Sequence, residues 1–175
     1  ANDQTITYGE NIAQGTGQVT AAGLCGSDSL GGITLTASSD QVAAENKTIT
    51  PSAAQIQNAS NEDVGNNYKI TYETGALTIN KAQGLLTVPE TSFHKKYGDA
   101  EFSLNCSTNG DGRISYVSSD EGVVTVSADG MARITGAGAA TVTASLAEGS
   151  NYTEGAKDEN VTVTVEKAAA PAGGQ

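Results

Sequence analysis

The sequence predicts an all-β chain of two tandem small β domains. Three observations carry this. Short runs alternate apolar residues with Thr and Ser, Gly-containing turns separate the runs, and three landmarks recur in the same order. No stretch shows the long 3.6-residue period that an α/β alternative requires.

Along the first half, Gln4-Thr5-Ile6-Thr7-Tyr8, Ile33-Thr34-Leu35-Thr36-Ala37, Tyr68-Lys69-Ile70-Thr71-Tyr72 and Ala76-Leu77-Thr78-Ile79 read as strands. Glu73-Thr74-Gly75 reads as the hairpin joining the last two. The pattern is ambiguous over residues 38–61. Residues 52–57 fit a short helix after Pro51 or an edge strand, and the Thr and Ile around them favour strand. The second half is clearer. Residues 122–127 (GVVTVS), 132–135 (ARIT), 140–145 (ATVTAS) and 160–166 (NVTVTVE) alternate as strands with one buried face. Ala128-Asp129-Gly130 is a tight turn and Gly136-Ala137-Gly138 a break. Turns at such spacing fit a small sandwich.

The repeat sets the boundary. Tyr8-Gly9-Glu10 is answered by Tyr97-Gly98-Asp99, Asn67-Tyr68 by Asn151-Tyr152, and Leu77-Thr78-Ile79-Asn80-Lys81-Ala82 by Val163-Thr164-Val165-Glu166-Lys167-Ala168. Three matches in order, at nearly constant spacing, argue for modules at 1–82 and 83–168. A flexible linker at 169–175 follows, rich in Ala and Gly.

Composition narrows the function classes. A net charge of −11 excludes a basic nucleic-acid-binding surface. No apolar run approaches the ~18 residues of a membrane span, and no charged-then-apolar leader opens the sequence. Secretion and anchoring signals are therefore expected outside these residues. Two cysteines in 175 residues exclude a disulfide-dense scaffold.

With Ser118-Ser119-Asp120, Val123-Val124-Thr125-Val126, Asp129-Gly130 and Gly136-Ala137-Gly138-Ala139-Ala140-Thr141-Val142-Thr143-Ala144, the second module resembles a bacterial Ig-like domain of the Big group. It departs at Tyr116-Val117, where many relatives place an aromatic such as Trp second. The core is then expected to rest on Tyr116 and aliphatic neighbours. The first module resembles an MBG-type repeat through Tyr8-Gly9, Gly23-Leu24, Asp28-Ser29-Leu30, residues 67–72 and Gly75-Ala76-Leu77-Thr78-Ile79. These resemblances imply an Ig-like β-sandwich for the second module and a β-rich sandwich or β-grasp-like module for the first, in a larger bacterial surface protein with adhesive or spacer roles at the cell surface or cell wall. Their partners would be neighbouring modules and a host or cell-wall glycan or protein.

No residue set points to catalysis, cofactor binding or a metal, and no such site residue is assigned. Asp120-Glu121 and Glu62-Asp63 are adjacent, so in strands they face opposite ways; they are expected to hold turns rather than share a proton as a glycosidase pair would. Asn109-Gly110-Asp111-Gly112 lacks the further ligands of an EF-hand loop and reads as a hairpin turn. Calcium at a module junction through Asp99, Glu101 or Asp158 has no motif behind it. His94 is the sole histidine and reads as a surface strand residue, with Lys95-Lys96 as an edge-strand gatekeeper. Cys25 and Cys106 read as partly buried thiols, an inter-module disulfide being the alternative. Tyr8/Tyr97 and Tyr68/Tyr152 are expected as core or corner anchors with bonded hydroxyls, the other reading being a sugar-stacking face. The sequons at Asn46, Asn58, Asn105, Asn151 and Asn160 carry little weight. The expectation is a non-catalytic stalk, spacer or adhesion segment. Glycan or host-ligand binding is the second hypothesis. Ancillary domains of a secreted carbohydrate-active enzyme or peptidase, catalytic elsewhere, are the third.

Overall fold

The computed structural model describes residues 1–38 and 42–171, in two compact units, Ala1–Ala82 and Gln83–Gln175. Residues 172–175 of the expected linker, and 39–41 of the ambiguous stretch, lie outside the described residues.

The first unit is one mixed sheet. Its strands are β1 (Gln4–Thr7), β2 (Ser29–Ala37), β3 (Ala44–Gln57) and β4 (Gly75–Asn80), in the order β1-β4-β3-β2. Strand β1 runs parallel to β4, with Gln4 opposite Leu77 and Thr7 opposite Asn80. Strands β2, β3 and β4 pair antiparallel. The alternation in β4 buries Leu77 and Ile79, which meet Ile49 and Leu35; Ile6, Tyr8, Ile12 and Val19 pack around them. Two glutamine amides act as surrogate backbone, Gln4 of β1 toward Ala13 and Gln14 toward edge strand β2. Gln4 accepts from Ala13 N at 2.7 Å and donates to Ala13 O at 3.1 Å. Gln14 accepts from Leu35 N at 3.2 Å and donates to Leu35 O at 2.9 Å.

The ambiguous residues 52–57 are strand, the far half of β3. Ala53 there has φ 51°, and the β2–β3 register shifts between Leu30 and Gly32 and between Gly32 and Thr34. A β-bulge explains why the local pattern was hard to read. Two expectations fail. Tyr68-Lys69-Ile70-Thr71-Tyr72 is not a strand, and Glu73-Thr74-Gly75 is not a hairpin. A 3₁₀ turn, Gly65–Asn67, leads into an extended segment whose pattern suits a strand but which no neighbour pairs.

The second unit is a sandwich. It contains β5 (Ala82–Gly84), β6 (Leu86–Thr87), β7 (Ser92–Lys96), β8 (Phe102–Ser103), β9 (Ser107–Thr108), β10 (Ile114–Ser118), β11 (Val124–Val126), β12 (Met131–Ile134), β13 (Gly138–Leu146), β14 (Tyr152–Gly155) and β15 (Glu159–Glu166). One sheet has the order β10-β13-β15-β7, another β11-β12-β8, and β5 with β14 and β6 with β9 form short ribbons. The core takes Val142 and Ala140 from β13, Val161, Val163 and Val165 from β15, Val124 from β11 and Ala132 from β12, with Leu104. Valines and alanines at every second position fill this interior without tryptophan.

Tyr116 packs against that core while Val117 is 67% exposed, so the core at this point rests on Tyr116. Burial, with Cys106 beside it, pushes the Tyr116 phenol up to about 12. The folded state therefore holds this proton more tightly than the unfolded chain. Its contribution is complete below about pH 10, the ordinary value, and is lost as pH rises through the folded value of about 12. In a 295 nm titration Tyr116 should ionise last, its loss of stability should appear in that window, and Tyr116→Phe should remove both.

Asn109-Gly110-Asp111-Gly112 is not a hairpin, because it leads from β9, paired with β6, to β10, paired with β13. The loop is held by its own polar side chains. Asn109 accepts from Leu85 N at 2.8 Å and donates to Gln83 O at 3.1 Å, and Asp111 accepts from Asn151 N at 2.9 Å.

Candidate functional site

The recurring landmarks meet each other in space within each unit. In the first, Tyr8 N donates to Asn80 O at 2.8 Å, one step beyond the β1–β4 ladder. Gly9 turns the chain with φ 92°, and Glu10 reaches back to accept from Thr7 N at 2.7 Å, its own N–H donating to Thr7 O at 2.9 Å. The second unit repeats this. Strand β7 runs parallel to β15 with Lys96 opposite Glu166, and Tyr97 N donates to Glu166 O at 2.8 Å. Gly98 has φ 97°, Asp99 accepts from Lys96 N at 2.8 Å, and Asp99 N donates to Lys96 O at 3.0 Å. Each Tyr-Gly-acid triplet is thus a corner that ends the parallel pairing with the last strand. Positive φ favours glycine, and the carboxylate satisfies a main-chain donor the ladder no longer uses. Gly98→Ala should cost about 1–2 kcal/mol, readable by urea denaturation, because it forces a side chain into the left-handed region.

This parallel pairing also places the chain ends. In the first unit Ala1 N donates to Glu73 O at 2.5 Å, beside the start of β4, and the chain leaves β4 at its far end, Asn80. In the second, Gly84 N donates to Thr153 Oγ1 at 3.2 Å, near the Leu146 end of β13. The exit after Glu166 lies beyond the pair Gly138–Val165, at the other end of β13. That strand has nine residues, roughly 27 Å at about 3.4 Å per residue. In each unit the chain enters at one end and leaves at the other.

The first unit also has a cleft of about 460 Å³, lined by Ala1, Asn2, Thr20, Leu24, Pro51, Ala54 and the segment 68–74. Tyr68 Oη donates to Asp28 at 2.6 Å and accepts from Cys25 N at 2.9 Å, and the bond to Asp28 raises its phenol above the usual value. Tyr72 Oη accepts from Ala54 N at 2.9 Å. The hydroxyl-bonded anchor expected at Tyr68 is present, and Tyr72 is a second one the sequence did not single out. Tyr152 lies against Gly110. Tyr97, by contrast, is 52% exposed and is no core anchor; its main chain does the work of the corner.

The remaining candidates are dispersed. Asp120 accepts from Gly122 N at 2.9 Å, Asp63 from Gly65 N at 2.9 Å, and Glu62 from Asn58 Nδ2 at 2.8 Å, each inside its own turn. In the Asp129 turn the Ser127 hydroxyl bonds the carboxylate and lowers its pKa. Among the described residues no group of three or more His, Cys, Asp or Glu side chains is placed to hold a metal ion. Asp99 is taken up by its corner, and Glu101 and Asp158 are exposed. His94 is exposed on β7, the edge of its sheet, and Lys95 lays its ammonium 4.6 Å from the centre of the Phe102 ring. Both cysteines are free. Cys25 is exposed rather than partly buried, whereas burial raises the Cys106 thiol. A disulfide reagent should titrate Cys25 rapidly and Cys106 slowly, and Cys25→Ser should abolish the rapid phase.

Residues 99–148 match the model of the intimin immunoglobulin-like domain. The matched span runs from the second corner through β13, so it covers most of the sandwich. Comparison with curated protein sequences finds no match. Among solved structures, domains 1–6 of the surface layer protein SbsC align at 13% identity and TM-score 0.46, over 82% of this chain and 29% of that one. The chain thus spans under a third of that structure. Domains 4 and 5 of the same S-layer protein align at 13% identity and TM-score 0.43, over 78% and 98%. The human mucin-like protocadherin EC1-2 aligns at 7% identity and TM-score 0.45, over 95% and 96%. The family match falls within the second unit, which is thus similar to the intimin immunoglobulin-like domain over those residues.

Proposed function

We propose that this chain is a non-catalytic pair of modules from a larger bacterial cell-surface protein, dividing after Ala82, and that it acts as a stalk or spacer. In this reading the first unit is an MBG-type repeat and the second a Big-type Ig-like domain. The observation that supports it is the parallel pairing of first and last long strands in both units. Entry and exit at opposite ends let each module add its length to a chain. They also mean that tension on the ends slides the two strands against each other. Every hydrogen bond of the ladder is then strained together rather than one by one. The acidic surface suits an extracellular setting, where it opposes self-association.

The spacer reading is tested by display between a cell anchor and a terminal epitope. Antibody access should rise with each added copy of the chain; an access that ignores copy number would sink the proposal. A second reading, capture of a glycan or host ligand by the first unit, has the cleft beneath Tyr68 and Tyr72 in its favour. Under that reading a glycan array gives signal above background, and Tyr72→Ala removes it.

A further inference from the structure

The two units differ at one place where their sequences correspond, and the difference leaves a seat empty in the first. After Asn151, the second unit forms β14, which is paired by β5 from the residues just upstream of that unit's first long strand. Gly84 is why β5 can approach: a side chain there would strike the main-chain carbonyl of Thr153. Gln83 Nε2 donates to Glu154 O at 3.2 Å, and Gly84 N to Thr153 Oγ1 at 3.2 Å. After Asn67, the first unit has the extended segment 68–74 instead. Its alternation is that of a strand, yet no strand pairs it. Among the described residues the main-chain N–H groups of Lys69, Ile70, Thr71, Tyr72 and Thr74 make no hydrogen bond. Ile70 is 37% and Tyr72 41% exposed.

Aligning the two corners, Tyr8 with Tyr97, sets Ala1 against Glu90. Residues 82–89, which hold β5 and β6, then have no counterpart from Ala1 onward. The cleft is where such residues would arrive, since Ala1 and Asn2 form part of its wall and residues 68–74 another. Its volume of about 460 Å³ suits a short extended peptide rather than a folded partner.

We propose that this cleft is the seat of an extended strand delivered from the N-terminal side of Ala1, which pairs residues 68–74 as β5 pairs β14. The strand supplies main-chain partners to alternate N–H groups of the segment and covers Ile70. The first unit is then complete only when a polypeptide strand lies in the cleft, and the bonds made there are main-chain bonds with little demand on side chains beyond a small residue at the closest approach.

The test is to place a copy of residues 82–89 directly ahead of Ala1, restoring the spacing found in the second unit, and to follow amide hydrogen exchange in the whole chain. Exchange of alternate amides within 69–74 should slow at least about 10-fold, and the melting midpoint of the first unit should rise. A graft in which the copied Gly84 is replaced by Val should lose both effects. Exchange in 69–74 unchanged by the graft, with the added residues still unprotected, would overturn the proposal. So would protection that survives the Val replacement, because it would show that the graft sits elsewhere. Protection of 69–74 in the ungrafted chain that grows with protein concentration would overturn it in favour of a second copy as the occupant.

Discussion

Leu77→Ala is expected to unfold residues 1–82 in a separate, early transition while residues 83–171 stay folded. Leu77 is fully buried in β4, opposite Gln4 on β1, and packs with Ile79, Ile49 and Leu35. Among the described residues only Leu35, Ile49 and Ile79 are buried with it, the other apolar groups around this core being partly exposed, so truncation removes a large share of the buried apolar surface. A buried Leu→Ala change costs about 2–5 kcal/mol, a large share of what a module of this size possesses. The core of the second unit is built from a separate set of residues on β11, β12, β13 and β15. Urea unfolding followed by hydrogen exchange should therefore show two steps, the first moved to lower denaturant and the second unmoved. A single step displaced as a whole would show that the two units unfold as one.

Gly112→Val is expected to have the opposite selectivity. Any Cβ at Gly112 would strike the carbonyl oxygen of Ala147, and one at Gly149 would strike the Asp111 carboxylate. The loops 109–112 and 147–151 touch through bare backbone, which cannot rotate away as a flexible side chain can. The same contact carries the bond from Asn151 N to Asp111, so moving one loop breaks the hold on the other. Overpacking that forces main chain to shift costs about 1–3 kcal/mol, and more in the tightest cases. The second unit should melt at lower temperature or fail to fold, with the first unit's transition unchanged in calorimetry.

Much of this was legible in the sequence, and the reasons for the rest are physical. β4, β13 and β15 were readable because one face is buried and the other wet, so composition alternates with the backbone. The Tyr-Gly-acid triplets were visible as repeats, but their role was not. A ladder between the first and last strands of a module is a long-range pairing that no local pattern encodes. Strands β5, β6, β8, β9, β10 and β14 are short and carry no run of alternating apolar and Thr or Ser residues like those that mark β11 and β12. Residues 68–72 show the reverse error: a strand pattern is a readiness to pair, and pairing also requires a partner. Of the candidate site, the tyrosines and acidic pairs could be named in advance. Their sorting into corners, turns and cleft wall could not, since it depends on which carbonyl or amide lies within hydrogen-bond reach.

Each unit is expected to resist tension through parallel terminal strands closed by a Tyr-Gly-acid corner. The direct measurement is single-molecule force spectroscopy of the second unit in a C25S, C106A chain, loaded in two geometries. In one, handles at the chain ends shear β7 against β15. In the other, handles on Glu121→Cys and Ala137→Cys peel β11 from β12 at the open end of their hairpin, one hydrogen bond at a time. Shearing should need at least about twice the force of peeling at the same loading rate, and Asp99→Ala should lower only the former. Equal forces in the two geometries, or an Asp99→Ala chain as strong as the parent when pulled by its ends, would contradict it.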